Sequence, residues 1–171
     1  MKNLNLIFIL VLSLLFSCEK PAIVNTGIIP QPNSINYQQG QFQITAKTVI
    51  IIDDSEDLKR MSNQLNAFLK TNFNLELAVT SKVQENAISL LKSNEKQETG
   101  AYNVSISKKG IDIKSASYQG IFYGFQSLKQ LLTPKATITN PILSFVEIND
   151  APKFQWRGTM LDVSRHFQPI D

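Results

Sequence analysis

Cysteine, histidine and tryptophan each occur once in these 171 residues. A lone cysteine excludes an internal disulfide, and one histidine without a His-Glu-x-x-His pattern excludes a zinc-peptidase ligand set. A metal cluster of Cys and His is excluded with it, and nothing in the sequence implies a cofactor. Charge of one sign is scarce as well. The net charge is only +3, and Lys59-Arg60, Lys108-Lys109 and Arg165 are scattered among acids rather than gathered into a basic stripe with interleaved aromatics. No nucleic-acid partner is implied. A membrane-spanning helix needs about 20 apolar residues, and the apolar run from Leu4 to Phe16 is shorter than that. No fixed-period repeat interrupts the pattern.

What is present at the N-terminus has a defined order. Lys2 precedes the apolar run, whose only polar residues are Asn5 and Ser13, and Leu15-Phe16-Ser17-Cys18 closes it. Charge, short apolar run and small-residue cleavage site are the parts of a signal peptide, and a cysteine just after the cleavage point makes the site a lipobox. Residues 1–17 are expected to be removed. Cys18 is expected to carry the lipid, giving an exported, membrane-anchored lipoprotein that faces the periplasm or the cell surface. The competing reading is a buried N-terminal helix with an incidental cysteine. Residues 18–27 are polar and include Pro21 and Gly27, which suits a lipidated tether.

The next 120 or so residues fit the size of one globular domain. Ile35 and Tyr37, then Phe42 and Ile44, alternate with polar residues around Gln39-Gly40, a β-hairpin pattern. Thr48 to Ile52 is a β-branched run ended by Asp53-Asp54, as in a strand buried on both faces and followed by a solvated loop. Ser55 is a helix N-cap with Glu56 and Asp57 in the first turn, and Leu58, Met61, Leu65, Phe68 and Leu69 follow at helical spacing to about Asn72. Leu75 to Val79 and Ala87 to Leu91 are short strand candidates. Val104 and Ile106, then Ile111 and Ile113, alternate around Lys108-Lys109-Gly110, predicting a hairpin over 103–114. A second helix runs from Ser117 to Leu132 through Ile121, Phe122, Phe125 and Leu128, with Pro134 ending it. Phe122, Phe125 and Leu128 are expected to face the core, and Gly120 and Gly124 to permit close packing against the sheet. Ile142 to Ile148 is a last strand, and Asn149-Asp150-Ala151-Pro152 a turn. The sum is an α+β domain over residues 28–148, an antiparallel or mixed sheet with both helices on one face.

From Phe154 the composition changes. Phe154 to Phe167 holds the only Trp, the only His and two arginines in a strand-like stretch. A buried strand carrying Arg157, Asp162, Arg165 and His166 must either pair those charges or present them to a ligand. Both readings stand for Asp162, Arg165 and His166 on the residues alone.

The run Phe154-Gln-Trp156-Arg157-Gly158-Thr-Met160-Leu161-Asp162-Val163-Ser164-Arg165-His166-Phe167 resembles the opening strand of the catalytic barrel of family 20 glycoside hydrolases, the β-N-acetylhexosaminidases. Upstream, Ile29-Pro30-Gln31-Pro32, Gly100-Ala101-Tyr102, Gly120-Ile121-Phe122-Tyr123-Gly124 and Gln126 to Leu131 resemble that family's accessory domain. The resemblance implies that residues 151–171 begin a (β/α)8 barrel, incomplete here. It implies a retaining mechanism in which the sugar's own 2-acetamido oxygen attacks the anomeric carbon while an aspartate orients it and an adjacent glutamate protonates the leaving group. Its substrates would be glycans ending in N-acetylglucosamine or N-acetylgalactosamine. The Asp-Glu pair is expected beyond Asp171, so no catalytic residue is assigned within this sequence and the chain by itself is expected to be inactive. Arg157 carries over as a substrate contact, its planar fork of donors matching two vicinal hydroxyls. In a regular strand Asp162 lies roughly 16 Å from Arg157, so Asp162, Arg165 and His166 are placed in a supporting role. The alternative from another class is a non-enzymatic glycan-binding or scaffolding lipoprotein on the same accessory fold.

Overall fold

The computed structural model describes residues 27–132, 140–154 and 156–160. Seven strands form one sheet: β1 Ser34–Gln43, β2 Val49–Ile51, β3 Ala78–Thr80, β4 Ala87–Lys92, β5 Tyr102–Ser107, β6 Gly110–Ser115 and β7 Ile142–Asp150. Two helices among the described residues, α1 Glu56–Phe73 and α2 Tyr118–Leu131, complete it. The strand order is β1-β7-β5-β6-β4-β2-β3. The β1, β7, β5 and β6 side is antiparallel, while β6, β4, β2 and β3 run parallel, so the sheet is mixed rather than a set of antiparallel runs.

Register explains which face is buried. One row crosses the sheet as Ile50, Ile88, Ile111, Ile106, Val146 and Tyr37, and the next as Leu90, Ile113, Val104, Ile148 and Ile35. Nearly all of these are buried, and they meet Leu58, Leu65 and Leu69 of α1 and Ile121, Phe125 and Leu128 of α2 in one core. The opposite row reads Ile51, Ser89, Asp112, Ser105, Glu147 and Asn36, polar from Ser89 onward, with Ile51 of β2 buried on this face as well. Period-2 alternation thus produces one apolar face, and the two amphipathic helices cover it.

The helix ends follow their sequence signals. The Ser55 hydroxyl accepts from the Leu58 amide, and Asn74 closes α1 in the left-handed region at φ 54°. Asp53 accepts from the Ser55 amide at 2.9 Å and Asp54 pairs with Lys59 at 2.8 Å, so the two carboxylates shape a solvated loop. Ser117 caps α2 through the Gly120 amide at 3.1 Å.

Four expectations are corrected. The residues from Ile35 to Ile44 do not form a hairpin. Ser34–Gln43 is one strand along β7, with Tyr37 opposite Val146 and Gln41 opposite Ser144, so β1 spends four steps where β7 spends two. Across this irregularity the buried phase changes on both strands, from Ile35 and Tyr37 to Phe42 and Ile44 on one side and from Ile148 and Val146 to Leu143 on β7. Gly40, at φ 120°, leaves the space that the Phe145 ring fills. A hairpin and a bulged strand share one alternation pattern, and only a partner more than 100 residues away separates them. Second, β3 is confined to Ala78–Thr80 because the Asn66 side chain bonds both backbone groups of Leu77, at 2.8 Å each, in place of a neighbouring strand. Third, Phe122 is 36% exposed while Phe125 and Leu128 are fully buried, since α2 turns Gly120, Gly124 and Phe125 toward the sheet. Fourth, β7 continues through Asp150, where a turn was expected, because Tyr102 of β5 pairs with it.

Described residues beyond Asp150 form no strand, and Phe154, Trp156 and Met160 are exposed. The expected barrel strand is therefore not seen in its described part, residues 154 and 156–160. Strands are held by neighbouring backbone groups, and no described strand pairs with these residues. The remainder of that stretch, like the signal peptide and most of the tether, lies outside the described residues.

Candidate functional site

A cleft of about 400 Å³ opens where the segment Ile28–Gln31, one face of α2 and the segment Asp150–Arg157 meet. Its walls are apolar, from Ile28, Ile29, Pro30, Tyr123, Pro152 and Phe154, and a few polar groups converge on it. Such a concave, mostly apolar hollow with few polar groups is the form a binding site takes.

The polar groups form two fastenings. The Gln130 side chain of α2 bonds both backbone groups of Ile29, accepting from its amide at 2.9 Å and donating to its carbonyl at 3.1 Å. Asp150, at the end of β7, accepts from the Asn33 amide at 3.1 Å and from the Tyr102 hydroxyl at 3.1 Å, one bond on each carboxylate oxygen. Tyr102 also shares a 2.7 Å hydrogen bond with Ser127 of α2. Burial pushes the Tyr102 phenol up to about 12, and the nearby Asp150 carboxylate adds to the effect. The phenol stays protonated at any physiological pH, so it serves as a fixed donor.

Past Asp150 the chain crosses Gly100, whose φ of 79° and missing side chain leave room for Pro152 and the Tyr123 ring. Arg157 then lies with its guanidinium 5.1 Å from the centre of that ring, within the range of a cation–π contact. The Tyr123 hydroxyl accepts from Gln119 at 2.7 Å, which fixes the ring.

The cleft holds one carboxylate, Asp150, and its oxygens are already accepting from a backbone amide and a phenol. Glycosidic hydrolysis in most families needs two carboxylates flanking the bond, and this lining supplies one. Among the described residues no group of His, Cys, Asp and Glu could hold a metal ion. Of the residues singled out from sequence, Arg157 reaches the cleft. Cys18, Asp162, Arg165 and His166 lie outside the described residues.

Sequence reasoning missed Asp150, Tyr102, Ser127 and Gln130 as one cluster. A signal existed. The stretches beginning at Ile29, Gly100, Gly120 and Gln126 were the ones that carried the upstream resemblance, and the fold gathers them around this cleft.

Comparison with known proteins gives the setting. Residues 25–151 match the family model "Glycosyl hydrolase family 20, domain 2". The chain is similar to a beta-hexosaminidase of Porphyromonas gingivalis, 32% identical over 153 residues that make up 85% of this chain and 20% of that protein. Among solved structures, it is similar to the GH20 beta-N-acetylhexosaminidase of Streptomyces coelicolor, with a TM-score of 0.73 at 30% identity, covering 82% of this chain and 29% of the other. A mutant beta-hexosaminidase of Streptomyces plicatus in complex with its product GlcNAc gives a TM-score of 0.71 at 29% identity, over 82% of this chain and 29% of that one. The chain therefore spans about a fifth of the curated relative's length and under a third of either structure.

Proposed function

This chain belongs to glycosyl hydrolase family 20, and from that premise we propose that the complete protein is an exo-acting β-N-acetylhexosaminidase. Residues 28–148 would be its accessory domain, and a (β/α)8 catalytic barrel would begin near Phe154. The observation that carries the reading is the family match over 25–151, supported by the fold likeness to a named hexosaminidase at 30% identity. The substrates proposed are glycans ending in N-acetylglucosamine or N-acetylgalactosamine, hydrolysed with retention by the substrate-assisted route. GlcNAc bound as product in the Streptomyces plicatus relative supports that class. Arg157 is proposed as a contact to the terminal sugar, with Asp162, Arg165 and His166 supporting it.

The test is a pair of purified proteins. The complete reading frame should release the aryl group from an aryl N-acetyl-β-glucosaminide, and residues 19–171 alone should not. A complete protein that binds the sugar without turnover would favour a glycan-binding lipoprotein, and turnover by residues 19–171 would place the reacting carboxylates among the acids of this chain.

The anchoring proposal rests on the lipobox at Leu15-Phe16-Ser17-Cys18. Cys18→Ala should abolish incorporation of labelled fatty acid and release the protein from the membrane fraction. Wild type should withstand high salt and yield to detergent, as stable anchoring by more than one acyl chain requires. Unchanged labelling of the variant would end this part of the reading.

A further inference from the structure

We propose that Asp150 is a positioning residue, a latch that fastens the N-terminal segment and the segment leaving β7 to one corner of the domain and so sets where Arg157 lies. The role in catalysis rests on Arg157 contacting substrate, as proposed above. The latch itself rests on geometry already described.

Asp150 is the last residue of β7 and sits opposite Tyr102 in register. One carboxylate oxygen takes the Asn33 amide and the other takes the Tyr102 hydroxyl, both at 3.1 Å. Tyr102 passes the connection to α2 through Ser127 at 2.7 Å, and α2 holds Ile29 through Gln130. One carboxylate therefore joins β7, β5, α2 and the N-terminal segment. From this anchored point the chain makes its next packing contacts through Pro152, in the space left by Gly100, and Arg157 follows on the Tyr123 ring. Nothing among the described residues pairs the backbone from Pro152 to Arg157 as a strand. The direction of the segment is set by where it leaves the sheet. Small displacements matter for such a group, because misplacing a substrate-gripping residue by about 1 Å can cost on the order of a hundredfold in rate.

The chemistry separates a shape requirement from a charge requirement. In Asp150→Asn the amide oxygen still accepts from Asn33. Its NH2 can donate to the Tyr102 oxygen, whose own proton then turns to Ser127, so every partner stays satisfied. In Asp150→Ala the Asn33 amide loses this acceptor and the phenol keeps only its bond to Ser127, so β7 is no longer tied to either.

Two measurements decide it. In the chain itself, hydrogen–deuterium exchange of the Asn33 amide and of residues 151–157 should quicken together in Asp150→Ala and stay near wild type in Asp150→Asn. In the complete protein, assayed well below its melting temperature, Asp150→Ala should lower kcat/KM by at least about tenfold while Asp150→Asn stays within about twofold. The loss should largely vanish when Arg157→Ala is already present, since Asp150 acts through that arginine. An equal loss in both backgrounds, or normal kcat/KM in Asp150→Ala, would overturn the positioning role. Unchanged exchange at residues 151–157 would overturn the latch. If wild type shows no turnover, the hexosaminidase reading fails by itself, the catalytic role of Asp150 falls with it, and exchange alone decides the latch.

Discussion

Gly120→Ala is expected to destabilise the domain by about 3 kcal/mol, the upper end of the usual cost of overpacking a filled core. A methyl group at this position would stand 2.1 Å from the Ser115 hydroxyl oxygen and 2.4 Å from the Ala101 carbonyl oxygen. Neither can yield cheaply. The carbonyl is backbone, and the Ser115 hydroxyl donates to that same carbonyl at 2.6 Å while accepting from the Ser117 amide at 3.1 Å. Moving it breaks the connection between β6 and the start of α2. The ordinary gain in helix propensity from Gly to Ala, about 1 kcal/mol in a helix interior, is reduced here because Gly120 lies in the first turn, three residues after the Ser117 cap. Gly124→Ala provides the contrast. Its added methyl meets the Ile113 Cγ2 at 2.6 Å and Tyr102 at 3.1 Å, buried side chains with little room to turn but no backbone carbonyl among them, so it should cost less, roughly 2 kcal/mol. Urea unfolding of both variants measures the difference. Equal midpoints, or a stabilised Gly120→Ala, would show that α2 is free to lift from the sheet.

The second large effect is expected at Arg157 in the complete protein. If the guanidinium holds two sugar hydroxyls, Arg157→Lys should fail nearly as badly as Arg157→Ala, because a point-charge ammonium cannot reproduce the planar two-donor grip. Hydrogen bonds from a charged donor contribute roughly 1.5 to 3 kcal/mol each, so kcat/KM should fall by on the order of a hundredfold or more. Stability should change little. Arg157 is exposed, and its contact among the described residues is the face of Tyr123 at 5.1 Å, an interaction of about 0.5 to 1 kcal/mol at an exposed site. Kinetics and thermal unfolding are measured side by side for each variant. A variant that melts early but keeps near-normal kcat/KM while folded would assign Arg157 to structure and remove it from the substrate site.

Much of the fold was legible because it is written in local patterns. Ser55 announces its helix by a hydroxyl that satisfies an amide of the first turn and caps as expected, and Ser117, where the second helix was expected to begin, caps that one. Val104, Ile106, Ile111 and Ile113 mark their hairpin because alternation and a glycine turn are adjacent in the chain. Gly120 and Gly124 signal close helix–sheet packing, and both face atoms closer than a side chain allows. Phe122 was misread for a related reason. Helical periodicity defines a stripe but not its edge, and the two glycines shift the buried face of α2 away from that residue.

The number and kind of most elements, the polarity of each face and the family resemblance are written in the order of the amino acids, because they depend on residues near one another or on patterns that one residue cannot disturb. That β1 is a bulged strand against β7 and that half the sheet is parallel became visible with the folded chain. So did the meeting of Asp150, Tyr102, Ser127, Gln130 and Arg157 in one cleft. Strand partners and convergent side chains are set by chain closure over many tens of residues. The hydrogen bonds that fix them join groups whose sequence neighbours carry no trace of the partner.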